Sequence, residues 1–342
     1  MANNDWQEFQ FIQGAVFNNA TIVSFGNIQN ELLCTQQAKV MCDLSHLALL
    51  EISGDDALSF LQGQVTNDVK LLASGQAHYS GYCSPKGRLL ALFLAYAQAQ
   101  TIHLQLNAKL AEPIAKRLKM YVMRAKVQID NVSDRLVRLG LSGDSITDDL
   151  SAFFSDIPNS PYGLSHGENG TLIRLDGNTP RFEIICDTDT AKRLWQALKK
   201  SCKPVGRACW EWLEIQAGIP DVSLTTQEEF VPQMLNLDAL NAINFKKGCY
   251  TGQEIVARTH YLGKLKRRTH LLHLATAVPP QAGMDVLNEH QEVIGKIVRS
   301  APAPQGGYDV LAELRLDSLS GPLAVNGVVA AMQTLPYALH SD

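Results

Sequence analysis

Residues 244–264 read NFKKGCYTGQEIVARTHYLGK, and this segment carries the strongest structural signal in the chain. Thr251 and Glu254 stand in the T-x-x-E spacing of a capping box, directly ahead of an apolar residue pattern with helical period. Gly263 is well placed to end the same helix. The pattern therefore predicts a helix that begins just after Thr251 and ends near Gly263.

Cys249 lies just before this predicted helix and beside Lys246 and Lys247. Positive partial and full charges at a helix N-terminus favour a thiolate over a thiol, so a reactive or cluster-ligating sulfur is one interpretation. A small, buried apolar cysteine is the alternative that the residues alone leave open. The other six cysteines are expected to be inert: Cys34, Cys42, Cys83, Cys186, Cys202 and Cys209.

Patterns ahead of this segment predict two mixed α+β units. Residues 47–65 read as a strand, a turn and a helix, and residues 89–123 as two strands and a helix. Between 135 and 200 the pattern gives strands at 135–141, 171–175 and 181–186, a helix over 146–157, and a helix capped by Asp187 or Thr188. A helix over 208–218 stops at Gly218, ahead of Pro220.

After about residue 265 the helical patterns disappear and short strands follow one another. Asn326-Gly327 suits a tight hairpin turn between two of these strands. The tail therefore predicts a small C-terminal β-barrel or sandwich.

Composition narrows the class of protein. The chain has 342 residues with 46% hydrophobic residues, which predicts two or three domains. A net charge of −4 provides no general attraction for phosphate backbones, so direct nucleic-acid binding is not expected. No signal peptide or membrane-spanning stretch is apparent, which favours the cytoplasm. Seven cysteines without CxxC or zinc-ligand spacing predict neither a disulfide framework nor a bound metal.

Residues 247–254, KGCYTGQE, resemble the hallmark of the YgfZ family, K-G-C-[FY]-x-G-Q-E, at every specified position. Further blocks at 41–69, 83–94, 212–221 and 230–245 resemble segments that this family shares with the glycine-cleavage T-protein. The resemblance implies an α+β fold in which three domains form a ring around a central folate pocket, with a C-terminal β-barrel. The expected domains are 1–130 with about 205–265, then 131–204, then 266–342.

The resemblance also implies a folate site for tetrahydrofolate. Trp210 aligns with a tryptophan linked to folate binding in YgfZ proteins, and an indole face suits a pterin or aminobenzoyl ring. Core packing of Trp210 or Trp212 is the alternative. The family's other folate-linked tryptophan falls at Leu47, so that contact is altered or lost here.

A departure near residue 90 separates the two branches of the superfamily. The T-protein carries an aspartate there that takes part in aminomethyl transfer to tetrahydrofolate, whereas this chain has Leu90 and Ala91. Classical aminomethyltransferase activity is therefore not expected. A folate-dependent one-carbon transferase stays as the alternative function.

The function implied by the resemblance is folate-dependent assembly or repair of iron–sulfur enzymes, among them enzymes that thiolate tRNA. Cys249 would act as nucleophile, redox thiol or transient cluster ligand. The remaining motif residues would shape its surroundings: Lys247, Gly248, Tyr250, Gly252, Gln253, Glu254 and Arg258. The basic run at 264–268 is compatible with RNA phosphates, with a folate polyglutamate tail, or with a solvated strand edge.

Overall fold

The computed structural model of the chain describes residues 4–263 and 265–339. Within these residues eight α-helices form: α1 (Asn4–Ile12), α2 (Ile28–Gln37), α3 (Ala57–Gln62), α4 (Ala108–Lys119), α5 (Ile146–Leu150), α6 (Thr188–Leu198), α7 (Arg207–Gln216) and α8 (Gln253–Tyr261). Short 3₁₀ helices add Val69–Ser74, Pro232–Leu235 and Leu316–Ser318.

The same described residues contain nineteen strands: β1 (Val16–Asn18), β2 (Thr21–Ser24), β3 (Val40–Asp43), β4 (Leu47–Ser53), β5 (His78–Cys83), β6 (Leu89–Gln98), β7 (Thr101–Asn107), β8 (Gln128–Asn131), β9 (Val137–Ser142), β10 (Leu164–Gly167), β11 (Gly170–Leu175), β12 (Arg181–Cys186), β13 (Lys203–Val205), β14 (Arg267–Leu274), β15 (Asp285–Leu287), β16 (Val293–Pro302), β17 (Tyr308–Arg315), β18 (Leu323–Val325) and β19 (Val328–Gln333).

Two sheets form the α+β part of the molecule. One has the strand order β5-β6-β7-β4-β8, and α4 packs against it with an apolar face that includes Leu110, Ile114 and Leu118. The other has the order β10-β11-β12-β9-β3-β13 and is covered by α6, whose Trp195 is fully buried. Because β9 lies between β12 and β3, and β3 also pairs with β13, segments far apart in sequence meet in this second sheet.

The tail forms a closed barrel with the order β14-β17-β16-β15-β18-β19, which confirms the predicted C-terminal barrel. The hairpin between β18 and β19 turns at Asn326 and Gly327, and both residues have positive φ, as the predicted tight turn requires. The predicted domain ranges themselves stay a prediction.

Helix α7 joins the barrel to the rest of the chain. The buried carboxylate of Asp309 on β17 accepts hydrogen bonds from Trp212 Nε1 and Gln216 Nε2, each at 2.8 Å, and pairs with His273 on β14. Helix α7 ends as predicted, with Gly218 in the left-handed region, where an added Cβ would meet the ring of Tyr337 at 2.5 Å. The position of Trp210 on α7 is thus fixed by contacts on both sides of the helix.

Two local predictions were wrong. Helix α8 begins at Gln253 with Gly252 as its N-cap, and the side chain of Thr251 does not cap it. The helix expected over 146–157 ends at Leu150. Across the described part of the chain, moreover, no helix combines the length and the apolar character needed to cross a membrane.

Candidate functional site

Cys249 lies in the loop that leads into α8, and it is exposed. All seven cysteines fall within the described residues; Cys34 is half-buried and the other five are buried. Desolvation raises the pKa values of the five buried thiols, among them Cys83 and Cys209, each to about 12. The interpretation of Cys249 as a buried packing residue is therefore wrong, whereas burial and a raised pKa disfavour the thiolate at the five buried cysteines.

Gly252 and Gly87 hold the Cys249 loop against the turn between β5 and β6. Gly252 has φ +83°, and a Cβ there would come within 2.5 Å of the carbonyl oxygen of Ser84. Gly87 has φ +68°, and its added Cβ would lie 2.7 Å from Cβ of Ile255 on α8. Only glycine permits this mutual approach of the two backbones, which explains Gly252 in the motif.

Lys247 fixes the Cys249 loop to the end of α3 and the segment that follows it. Its buried ammonium donates hydrogen bonds to the carbonyl oxygens of Gln62, at 2.7 Å, and Val65, at 2.5 Å, and lies 5.0 Å from the ring centre of Tyr250. Burial lowers the pKa of Lys247 to about 8. This charge is therefore directed at backbone carbonyls, whereas the preceding residue, Lys246, is exposed to solvent.

The other motif residues are presented to solvent. Gly248, Glu254 and Arg258 are exposed, and Gln253 is half-buried. Nothing lies within 4 Å of a Cβ built on Gly248. Across residues 4–263 and 265–339, the side chains of Gln253, Glu254 and Arg258 make no hydrogen bond or ion pair. Packing thus explains the buried motif residues but gives no reason for the exposed and half-buried ones, from Gly248 to Arg258.

The basic run at residues 264–268, which follows α8, contains two arginines that pair with carboxylates of the same chain. Lys264 lies outside the described residues. Arg267 Nη1 contacts Glu313 Oε2 at 2.8 Å, and Arg268, itself buried, forms an ion pair with Asp238 at 2.5 Å. These two arginines neutralise carboxylates within the protein, so neither is a free cation for an RNA phosphate.

Trp210 and Leu47, the two residues predicted for folate, line the same cavity. The cavity lies between β4, β6, β7, β12 and α7, and its interior volume is about 60 Å³. By that measure one water molecule needs roughly 10–15 Å³, so the cavity has room for only a few waters. A bicyclic ring system requires it to widen.

A buried carboxyl group faces this cavity from β12. Glu183 is 1% exposed; its Oε2 accepts a hydrogen bond from Gln105 Nε2 at 2.9 Å, whereas Oε1 has no partner among the described residues. Burial raises the pKa of Glu183 to about 7. An unpartnered buried oxygen is costly, so a hydrogen-bond donor that enters the cavity would be stabilised there.

The indole of Trp210 is packed on two sides. The guanidinium of Arg181 lies 5.6 Å from its ring centre and pairs with Glu214 at 2.7 Å. A Cβ on Gly140 would approach the six-membered ring to 2.6 Å. Trp210 therefore serves both interpretations: it packs the core, and it forms part of the cavity wall.

Further polar groups line the opposite wall. Asn107 donates a hydrogen bond to Asp221 at 2.8 Å, and Arg299 donates one to the carbonyl oxygen of Ile219 at 3.1 Å. Burial raises the pKa of Asp221 and lowers that of His46 well below its usual value. These residues come from four separate segments, so no local motif could have revealed them.

Strand β6 connects the two regions. Leu92 and Leu94 face the cavity, and a β-bulge at Leu90 interrupts the pairing of the strand just before them. The turn before β6 contains Gly87, which contacts α8. Leu92 is five positions after Gly87, a span of at most about 17 Å at roughly 3.3 Å per residue.

Comparison with known proteins defines the class. Residues 6–247 match the family model described as the GCVT N-terminal domain. The fold superimposes on the glycine cleavage system aminomethyltransferase T from Bartonella henselae with a TM-score of 0.80, covering 97% of this chain and 96% of that chain at 19% identity. The molecule thus has the three-domain ring of the T-protein type with a C-terminal barrel.

Similar sequences show which branch of this superfamily the chain belongs to. The chain is 30% identical to the tRNA-modifying protein YgfZ of Yersinia pestis (strain Pestoides F) over 88% of its length and 93% of that protein. It is 33% identical to the tRNA-modifying protein YgfZ of Colwellia psychrerythraea (strain 34H / ATCC BAA-681), over 88% and 94%. The chain belongs to the YgfZ family.

Proposed function

We propose that the protein binds tetrahydrofolate in the Trp210 cavity and uses the exposed thiol of Cys249 to support the assembly or repair of iron–sulfur enzymes. Enzymes that modify tRNA are the proposed clients, and the cytoplasm, where thiols stay reduced, is the proposed location. The observation that carries the proposal is the pairing of one exposed cysteine with a separate cavity that contains both residues predicted for folate.

The polar wall of the cavity fits the head of a folate. A pterin ring presents an amino group and an adjacent ring N–H, which are the donors that the unpartnered Oε1 of Glu183 lacks. Trp210 offers an aromatic wall and Leu47 an aliphatic one. A bound reduced folate would supply a one-carbon carrier; the residues named here would hold and orient it.

The Cys249 loop fits a role toward another macromolecule. Its thiol is exposed, its backbone is fixed by Gly252 and Lys247, and Gly248 leaves open space beside it. A sulfur so presented can reach a partner's cluster or persulfide without rearrangement of this chain. Rigid placement of an exposed reactive group lowers the entropy lost on encounter.

An indirect route to tRNA fits the charge of the protein better than direct binding. Relatives of this chain are named tRNA-modifying proteins. The net charge of −4 gives no field for RNA, and Arg267 and Arg268 already pair with carboxylates. Action through iron–sulfur enzymes that modify tRNA is consistent with both facts.

The alternative, a folate-dependent one-carbon transferase, has less support. At the place where the T-protein resemblance requires an aspartate, Leu90 and Ala91 are buried and apolar. A glycine-cleavage assay with lipoyl carrier protein separates the two functions, and measurable turnover would favour the transferase.

Calorimetric titration with tetrahydrofolate tests the ligand directly. Wild type should bind, and Trp210→Phe should weaken binding at least about tenfold because the cavity wall is altered. Trp212→Phe is the matched control, since Trp212 lies two residues away on α7 and contacts Asp309 instead of this cavity. No heat with wild type at millimolar folate, or equal loss in both variants, would contradict the proposed site.

A further inference from the structure

A second cavity lies on the other side of Leu47. It is enclosed by α1, the turn between β3 and β4, the start of α4, and β9, and Leu47 contributes to the walls of both cavities. Its interior volume is about 230 Å³, against about 60 Å³ for the Trp210 cavity by the same measure. Cavities of roughly 150 Å³ can hold a molecule as large as benzene, so this one has room for a small organic ligand.

Arg138 on β9 lines this cavity with unused hydrogen-bond donors. Its side chain is 2% exposed, and its Nε and Nη1 atoms are buried without a partner among the described residues. Buried, unsatisfied donors on a charged group cost several kcal/mol in general, so a structure that keeps them is expected to supply an acceptor. The cavity is the space from which that acceptor can come.

Asp43 provides an opposite charge in the same cavity. Its Oδ1 accepts a hydrogen bond from Trp6 Nε1 at 2.9 Å, and its Oδ2 accepts one from Ser45. The carboxylates of Asp43 and Glu183 both favour the charged form of Arg138, which opposes the cost of its burial. Neither carboxylate forms a hydrogen bond to Nε or Nη1 of Arg138.

We infer that this cavity binds a small amino acid, with the carboxylate on Arg138 and the amino group toward Asp43. A guanidinium matches a planar carboxylate in shape and charge. Asp43 repels a second negative charge and attracts a cationic amino group, so a zwitterion fits better than a dicarboxylate or a phosphate. Exposed Ala20 and Asn131 at the rim leave an entrance from solvent.

This site is separate from the proposed folate site, because Arg138 and Asp43 do not line the Trp210 cavity. The two proposals can therefore fail independently. Trp210→Phe should weaken folate binding without a change in amino-acid affinity. An Arg138 variant should weaken amino-acid binding more than folate binding, because Arg138 does not line the folate cavity and acts on it through its charge interaction with Glu183.

Calorimetric titration of the full chain at neutral pH with serine and with alanine is the primary test. At least one should bind with a Kd of millimolar order or tighter. Two smaller probes each lack one end of the ligand: propionate has no amino group and ethanolamine has no carboxylate. Both should bind at least about tenfold more weakly. Absence of binding by serine and alanine at tens of millimolar would overturn the inference and leave a water-filled cavity.

Two variants identify the residues involved. Arg138→Met should reduce amino-acid affinity more than tenfold. Arg135→Met is its control, because Arg135 is exposed, does not line this cavity, and has a long ion pair of 3.8 Å with Glu51. Asp43→Asn keeps the side-chain shape, and should weaken the binding of serine or alanine but not that of propionate. Should Arg138→Met fail to fold, the selective loss of amino-acid binding in Asp43→Asn, with propionate binding unchanged, is the test of the inference. Wild-type affinity in a folded Arg138→Met protein would contradict the inference.

Discussion

The Cys249 loop and the Trp210 cavity differ in what holds their residues in place. Around Cys249, packing accounts for Gly252 and Lys247, whereas the thiol itself is exposed and touches little of the fold. In the cavity, Trp210 and Glu183 are buried and serve the core and the wall at once. Function should therefore be separable from stability in the loop, and inseparable from it in the cavity.

The largest effect is expected from Cys249→Ser. Serine keeps the size of the side chain but removes thiolate chemistry, so rescue of iron–sulfur enzyme activity in cells that lack the native protein should be abolished. Because the side chain is exposed, the free energy of unfolding should change by less than about 0.5 kcal/mol. Complementation at matched expression, together with urea unfolding, measures both quantities.

Cys209→Ser is the matched control for that experiment. Cys209 is fully buried on α7, so a hydroxyl there should cost about 1–2 kcal/mol of stability. Rescue should follow the amount of folded protein. Full rescue by Cys249→Ser would remove the basis of the proposed function.

Gly252→Ala against Gly248→Ala tests the loop backbone. An alanine at 252 requires a left-handed conformation and a contact with Ser84 O at 2.5 Å, and should cost about 3 kcal/mol. Alanine at 248 meets nothing within 4 Å, so its cost should stay below about 0.5 kcal/mol. Denaturant midpoints give both values, and equal costs would show that the two backbones do not meet in this way.

The same glycine shows why sequence patterns predicted only part of the fold. Local signals were sufficient for the Asp187 cap of α6, the end of α7 near Gly218, and the Asn326-Gly327 hairpin, because each depends on neighbours in sequence. The predicted Thr251 cap of α8 was wrong because Gly252, which takes the cap position, is constrained by the distant turn at Gly87. A capping rule cannot register a contact between residues so far apart in the chain.

The candidate site divides in the same way. Cys249 belongs to a contiguous motif, so the sequence alone pointed to it. Glu183, Gln105 and Asp221 meet only in the folded chain and were missed. One signal was available: Glu183 interrupts RFEIIC, an otherwise apolar stretch after Arg181, and all of β12 is buried. A charged residue within a buried strand is uncommon unless it is paired or functional.

Glu183→Gln tests whether the buried carboxyl group of the cavity makes the stability of the protein depend on pH. The folded state keeps a proton on Glu183 up to about pH 7, whereas the unfolded chain releases it near 4.5, so the contribution of this carboxyl to stability is lost as pH rises through that window. The glutamine variant should lack this loss and gain about 2 kcal/mol relative to wild type between pH 5 and 8. Tetrahydrofolate affinity should fall about tenfold, because the acceptor at Oε1 is replaced.

Unfolding at several pH values measures the difference, and Glu112→Gln on the exposed face of α4 is the control that should show no such window. Parallel stability curves for wild type and Glu183→Gln would mean that the buried carboxyl titrates normally. Unchanged folate affinity would remove Glu183 from the proposed site.

The smallest effect on stability is expected from the double variant Glu254→Gln/Arg258→Gln on α8. These residues are spaced i, i+4 but form no ion pair within the described structure, and both are exposed. Loss of their favourable placement at the two ends of the helix should cost only a few tenths of a kcal/mol. Rescue should nevertheless fall severalfold, since packing gives no reason for the residues and contact with a partner beside Cys249 does. Glu112→Gln/Lys116→Gln on α4 has the same spacing and exposure, and should leave rescue unchanged. Equal rescue by both double variants would restrict the functional surface to Cys249 itself.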